Sequence, residues 1–268
     1  MKPLAAFLFA TLMISNGLAA SPTVIIDTTF QEADADGRPL TATAPVDIGE
    51  LPLRMPTDVD EQPSAATSPS QARVGKEDFG RLKPPYLILQ AGENPTEPGA
   101  IADVGVYWDL QKLGLSEGHY EISWDMAASQ TDKMGGAFRL NIRAQTPNFL
   151  AGIHPLAVPG GVLFLKNGQM AVTGNEKNGE TAGPVLSPYQ ADELYHCVLR
   201  VDLDKRTWSC EINGDSLVQE QKLPAPFQED AAAAITLSGM SFGSQRGMGC
   251  EADARFLLAN VKVTRLAN

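Results

Sequence analysis

The stretch Tyr195–Gly214, YHCVLRVDLDKRTWSCEING, decides the fold. Cys197, Leu199, Val201 and Leu203 alternate with His196, Arg200 and Asp202. Asp204-Lys205 then marks a turn, and Trp208, Cys210 and Ile212 return along the apolar side. A period of two means successive side chains point to opposite faces of an extended chain, one face toward a core and one toward water. Asn213-Gly214, able to adopt the left-handed backbone that tight hairpins need, ends the run.

The same alternation repeats on both sides of this hairpin. In Tyr120–Met126, residues Tyr120, Ile122, Trp124 and Met126 point one way, with Glu121, Ser123 and Asp125 opposite. In Phe138–Gln145, Phe138, Leu140, Ile142 and Ala144 form the apolar set, while Arg139, Asn141, Arg143 and Gln145 face away. Leu163–Thr173 carries Asn167-Gly168 between two apolar runs, which predicts another hairpin. Further strands are expected at Val24–Ile26, Leu51–Met55, Tyr86–Gln90, Val104–Leu110, Ile235–Phe242 and Arg255–Val263. Helical periodicity is almost absent. About a dozen half-buried strands with no helix between them predict an all-β fold of two packed antiparallel sheets. Trp108, Trp124 and Trp208 fall on the apolar sides of their strands and are assigned to the core.

The first twenty residues, MKPLAAFLFATLMISNGLAA, read as a cleavable secretory signal peptide. Lys2 supplies the positive charge, Leu4–Ile14 the apolar run, and Ala19 and Ala20 the small residues at the cleavage site. The apolar run is too short to span a bilayer of about 30 Å, so no membrane span is expected after cleavage. Residues 21–268 are expected to form one domain, with the polar, proline-rich stretch 31–69 as a loop-rich insertion or edge region. The destination is periplasmic or extracellular. The net charge of −11 works against nucleic acid as a partner, and an apolar fraction of 43% is that of a chain able to bury a core. Three cysteines in an exported chain pose a question of pairing. A hairpin could join Cys197 to Cys210 in a disulfide, leaving Cys250 free, or all three could be buried thiols.

The order of GHYEISWDM, LFLKNGQM, YHCVLRVDLDKRTWSCEING and DARFLLANVKV resembles the concanavalin A-like lectin/glucanase superfamily, nearest to laminin-G-like modules of exported bacterial proteins. The resemblance covers roughly residues 71–265, with Val24–Phe30 as an edge strand near the C-terminal one. It implies a two-sheet antiparallel jelly-roll sandwich and a glycan-facing role. Its motifs describe strands and turns, not chemistry.

Catalytic patterns fail on inspection. Glucanases of that superfamily carry Glu-x-Asp-x-x-Glu on one strand, and the nearest counterpart here is Glu121-Ile122-Ser123-Trp124-Asp125. Carboxylates four residues apart on a strand lie roughly 13 Å apart, beyond the roughly 5–10 Å of glycoside hydrolysis. Gly239-Met240-Ser241-Phe242-Gly243 matches a nucleophile elbow but lacks the strand–turn–helix that exposes the serine. His119 and Glu121 share a strand face, yet no third ligand is marked by spacing. In Glu32–Gly37, EADADG, the closing acid of a calcium loop is replaced by Thr43, so no motif supports calcium; calcium held by scattered loop acids, as in some lectin-like relatives, stays open, and no other cofactor is expected.

What remains is a polar surface. Glu121, Asp125, Arg139, Asn141 and Arg143, with Tyr107 and Asp109, would form one ligand-binding face if their strands are neighbours. Charged, amide and aromatic side chains on a curved sheet suit sugar hydroxyls. The competing reading is a solvated face whose charges pair across strands. The resulting expectation is an exported, noncatalytic glycan- or surface-binding module whose partner is a glycan or cell-envelope polysaccharide. A polysaccharide hydrolase or lyase with an atypical site, and a structural or protein-interaction domain of the cell envelope, are the alternatives.

Overall fold

The computed structural model describes residues 21–28, 30, 46–48, 51–54, 71–75, 77–93, 101–102, 105–110, 113–132, 135–144, 161–172, 176–177, 180–181, 185–223, 234–244 and 253–267. In chain order its strands are β1 (Thr23–Thr28), β2 (Val46–Ile48), β3 (Leu51–Arg54), β4 (Gln71–Gly75), β5 (Tyr86–Gln90), β6 (Gly92–Glu93), β7 (Ile101–Ala102), β8 (Gly105–Asp109), β9 (His119–Ala128) and β10 (Gly136–Ala144). There follow β11 (Val162–Phe164), β12 (Gln169–Val172), β13 (Glu176–Lys177), β14 (Glu180–Thr181), β15 (Val185–Pro188), β16 (Tyr195–Asp202), β17 (Thr207–Ile212), β18 (Asp215–Lys222), β19 (Ile235–Ser244) and β20 (Arg255–Arg265).

Two eight-stranded antiparallel sheets hold most of them. Sheet I runs β18-β17-β16-β9-β20-β5-β4, with β1 also paired to β20. Sheet II runs β15-β12-β11-β10-β19-β8-β3-β2. The expected antiparallel two-sheet sandwich is therefore what the chain forms. The first strand lies beside the C-terminal one, as the sequence suggested. Among the described residues no helix is long and apolar enough to cross a membrane. The leader, the EADADG stretch and Cys250 lie outside the described residues.

The hairpin that opens the reading folds as its alternation demands. In β17 the burial alternates strictly, with Trp208, Cys210 and Ile212 inside. Asn213 and Gly214 both take positive φ, 53° and 86°, the geometry of the tight turn that matches strand twist. Asn213 does more than turn the chain. Its side-chain oxygen accepts the His196 N–H at 2.8 Å, and its own N–H donates to the His196 carbonyl at 2.7 Å. The turn between β17 and β18 is thereby clasped to the start of β16.

Between the sheets lies one apolar core whose centre is aromatic. Trp124 of sheet I stacks on Phe138 of sheet II, with ring centroids 3.7 Å apart and planes 14° from parallel. Phe256 of sheet I meets Phe242 and Phe164 of sheet II, each at 6.2 Å. At Gly136 the Phe256 ring lies close against the backbone of sheet II. A Cβ there would stand 2.1 Å from the ring. Trp108, Trp124 and Trp208 are all at most 1% exposed, which agrees with their assignment to the core.

The proposed Cys197–Cys210 disulfide is corrected by the register. Cys197 stands opposite Ile212 and Cys210 opposite Leu199, so the two cysteines are diagonal neighbours, and both are free, buried thiols. Burial pushes the Cys197 thiol well above its usual range and the Cys210 thiol up to about 12. A thiol harder to ionise when folded than when unfolded stabilises the fold fully below the unfolded pKa, here 9.0. That stability is lost as pH rises from there toward about 12. Urea denaturation should thus show stability falling above pH 9, with a shallower fall in Cys210→Ala. A non-reduced peptide map showing Cys197 joined to Cys210 would contradict the assignment.

Candidate functional site

The outer face of sheet I is built by β9 and β16. Because Tyr120, Ile122, Trp124 and Met126 enter the core, His119, Glu121, Ser123 and Asp125 face outward. The antiparallel register sets these four opposite Asp202, Arg200, Val198 and His196. His119 Nε2 lies 2.7 Å from Asp202 Oδ2. Arg200 is shared between two acids, its Nε donating to Glu121 at 2.9 Å and its Nη1 to Glu211 at 2.6 Å. Asp125 takes His196 Nδ1 at 2.7 Å on one oxygen and the Asn260 amide at 2.6 Å on the other. Asn260 reaches it from an irregularity in β20, between Ala259 and Lys262, where its φ is 51°. Glu121 and Asp125 thus belong to separate rungs of a ladder of polar pairs, with Ser123 between them.

Arg139 and Asn141 stand elsewhere. They belong to β10 of sheet II, half-buried on the side opposite the inward Phe138, Leu140 and Ile142. The strands that the polar-face reading needed as neighbours are in different sheets, and the core separates Glu121 and Asp125 from Arg139 and Asn141. The reason is topological. Alternation says which residues of a strand face inward, but it does not say which sheet receives the strand, and β9 and β10 are successive strands placed in opposite sheets.

Sheet II does gather the rest. Its register aligns Arg54, Tyr107, Ser241 and Arg139 across four adjacent strands. The next row holds Asp109, Gly239 and Asn141. Beyond an irregularity at Ser238 of β19, Arg143 stands opposite Thr236. Five of the seven candidate residues, Tyr107, Asp109, Arg139, Asn141 and Arg143, therefore occupy neighbouring positions on β8 and β10, joined by β19. Ser241 and Arg54 share a row with them, and sequence reading passed over both. Ser241 was set aside as part of a failed nucleophile elbow, and in the structure it lies in the middle of strand β19.

At the β16–β18 end of sheet I the surface dips into a depression of about 260 Å³ lined in part by His119, Arg200, Asp202, Thr207, Ser209 and Glu220. Near it, ligand atoms of His119, Asp202 and Asp204 lie within 4.8 Å of one another. Those carboxylates already have work. Asp202 Oδ1 accepts the Lys205 N–H at 2.8 Å, Lys205 Nζ lies 3.4 Å from its Oδ2, and Asp204 Oδ1 accepts the Gly118 N–H at 2.9 Å. His119 pairs with Asp202 across the strands, and Glu121, its neighbour on the same face, goes to Arg200.

The ladder has a measurable consequence. Arg200 is 39% exposed and its partners Glu121 and Glu211 about as much, 30% and 31%, so solvent screens both pairs. Arg200→Ala leaves two carboxylates without their shared cation and should cost about 1 kcal/mol at low salt. Chemical denaturation in low and molar salt should show most of that loss vanish as screening rises. A cost of several kcal/mol, unchanged by salt, would mean that the triad is a buried unit.

No family model and no curated protein matches this chain. Solved structures do. A sialidase matches at 14% identity over 72% of this chain and 16% of that one, with a TM-score of 0.44. A botulinum neurotoxin type C structure, titled for a cell entry dependent on two ganglioside molecules, matches at 7% identity over 92% and 48%, TM-score 0.49. Alginate lyase A1-II' matches at 13% identity over 68% and 80%, TM-score 0.45. The chain spans less than half the length of the sialidase and neurotoxin chains. The sandwich agrees with the concanavalin A-like resemblance, and at these identities and TM-scores none of the matches assigns this chain an activity or a ligand.

Proposed function

We propose that this chain is an exported, noncatalytic binding module that recognises a glycan or a polar cell-envelope surface through sheet II, on the face opposite the core. One observation carries the reading. Five of the seven residues that suit polyhydroxylated ligands register side by side on β8 and β10, in rows completed by Ser241 and Gly239 of β19. Residues that carry guanidinium, amide, hydroxyl and phenol groups thus recur at backbone intervals of about 5–7 Å, the scale on which rings recur along a sugar chain. Glu121 and Asp125, the acids nearest to a hydrolytic pattern, are held on the other sheet by Arg200, His196 and Asn260. Glu121 meets the carboxylate of Glu211 across Arg200, which donates to both, and Asp125 is engaged on both oxygens. This disfavours hydrolysis at that strand and leaves binding as the simpler use of the fold.

Screening the mature protein on an array of neutral and acidic oligosaccharides should give saturable, weak binding with no release of reducing ends or unsaturated products. The double variant Arg139→Ala/Asn141→Ala should lose roughly tenfold or more in affinity, as removal of a charged and a neutral hydrogen bond implies. Glu121→Gln, on the far sheet, should leave binding unchanged. Binding that follows Glu121 and ignores Arg139 would place the site on the wrong sheet for this proposal, and product release would replace binding with catalysis.

A further inference from the structure

We infer that the depression on sheet I is a second ligand site, independent of sheet II, for a small hydroxylated amine of the size of one amino sugar. The inference rests on the cavity, a local strain and a charge pattern.

The depression lies where β18 leaves its register. Trp208 pairs with Gln221 and Cys210 with Val218, so Gln219 and Glu220 together stand against Ser209 alone. Such a bulge bends the strand and re-aims a side chain. Glu220 lies in it with φ 40°, a left-handed backbone that a glutamate adopts only at a cost. A glycine would take that φ freely. A strained, non-glycine residue lining a concavity on an edge strand points to a use for its side chain.

The lining says what that use is. Thr207 and Ser209 are outward, half-buried hydroxyl side chains of β17. Among the described residues no hydrogen bond occupies either of them, and Glu220 has no ion-pair partner. Arg200 and Asp202 are already engaged, Arg200 with Glu121 and Glu211, and Asp202 with His119 and Lys205. Around the depression five carboxylates, Glu121, Asp202, Asp204, Glu211 and Glu220, stand with three permanent cations, Arg200, Lys205 and Lys222, the last opposite Thr207 in the register. The residual field is negative, and the net charge of −11 reinforces it, which selects against phosphates and uronates and for a cation. The open groups are one carboxylate, suited to an ammonium, and two hydroxyls, which donate and accept as sugar hydroxyls do. A volume of about 260 Å³ lies just below the range of small-molecule pockets and holds one ring, not a chain.

Calorimetric or NMR titration with D-glucosamine tests this, with N-acetyl-D-glucosamine and D-glucuronate as controls that lack the ammonium. Glucosamine should bind saturably and at least roughly tenfold tighter than either control, the value of one charge-assisted hydrogen bond. Glu220→Gln should erase that preference. Glu220→Gly should erase it too while leaving the thermal midpoint equal or higher, because the strain goes with the side chain. Arg139→Ala should change nothing here, which separates this site from the sheet II proposal. Absence of saturable glucosamine binding, equal binding of N-acetyl-D-glucosamine, or unchanged binding by Glu220→Gln would each overturn the inference.

Discussion

The contact on which the rest of the molecule depends is the stack of Trp124 on Phe138, which fastens sheet I to sheet II. Both side chains are fully buried, and removing either would open a cavity in the centre of the sandwich at a cost of about 3–5 kcal/mol. Each sheet alone would expose an apolar face to water. Joined, they leave two outward faces of different character with a hydrophobic layer between them. Every functional group of a strand is thereby committed to one of two surfaces, and residues close in sequence can be committed to different ones.

That constraint explains what could be read from the chain and what could not. The alternation in Tyr120–Met126 and Phe138–Gln145 placed Trp124 and Phe138 inside, and the turns at Asn167-Gly168 and Asn213-Gly214 fell where hairpins form. These are local signals with a period of two or a fixed turn geometry. The sheet to which a strand belongs is not local. It is set by which apolar faces meet, and Glu121 and Arg139 look equivalent until β9 and β10 are seen in separate sheets. The bulge at Glu220 was likewise invisible, since nothing in DSLVQEQK marks the residue that must take a positive φ. The cysteine pairing failed for a similar reason: a hairpin brings Cys197 and Cys210 to neighbouring strands, but a shift of two residues in register separates a diagonal pair from a facing one.

The two outer faces differ in how their polar groups are engaged. On sheet I the carboxylates of Glu121, Asp125 and Asp202 are each engaged by a cation, an imidazole or an amide, and together they knit β9, β16, β17 and β20 across the strands. Exposed pairs of this kind contribute little each, yet they fix register by making a slipped pairing place like charges opposite one another. On sheet I cross-strand pairing with an arginine describes Glu121, while Asp125 is held by an imidazole and an amide. The ligand-binding reading keeps its strongest support on sheet II, where the rows through Arg139 and Asn141 run across β10, β19 and β8.

The division of the candidate residues between opposite faces is the central claim, and one distance tests it. Spin labels at Ser123, between the two paired acids of sheet I, and Ser241, in the Arg139 row of sheet II, can be introduced as cysteines after the native cysteines are replaced. Two sheets packed about 10 Å apart, with a label extending outward from each, should give a separation of roughly 20 Å or more by electron paramagnetic resonance. A separation below about 15 Å would put both residues on one surface and contradict the account.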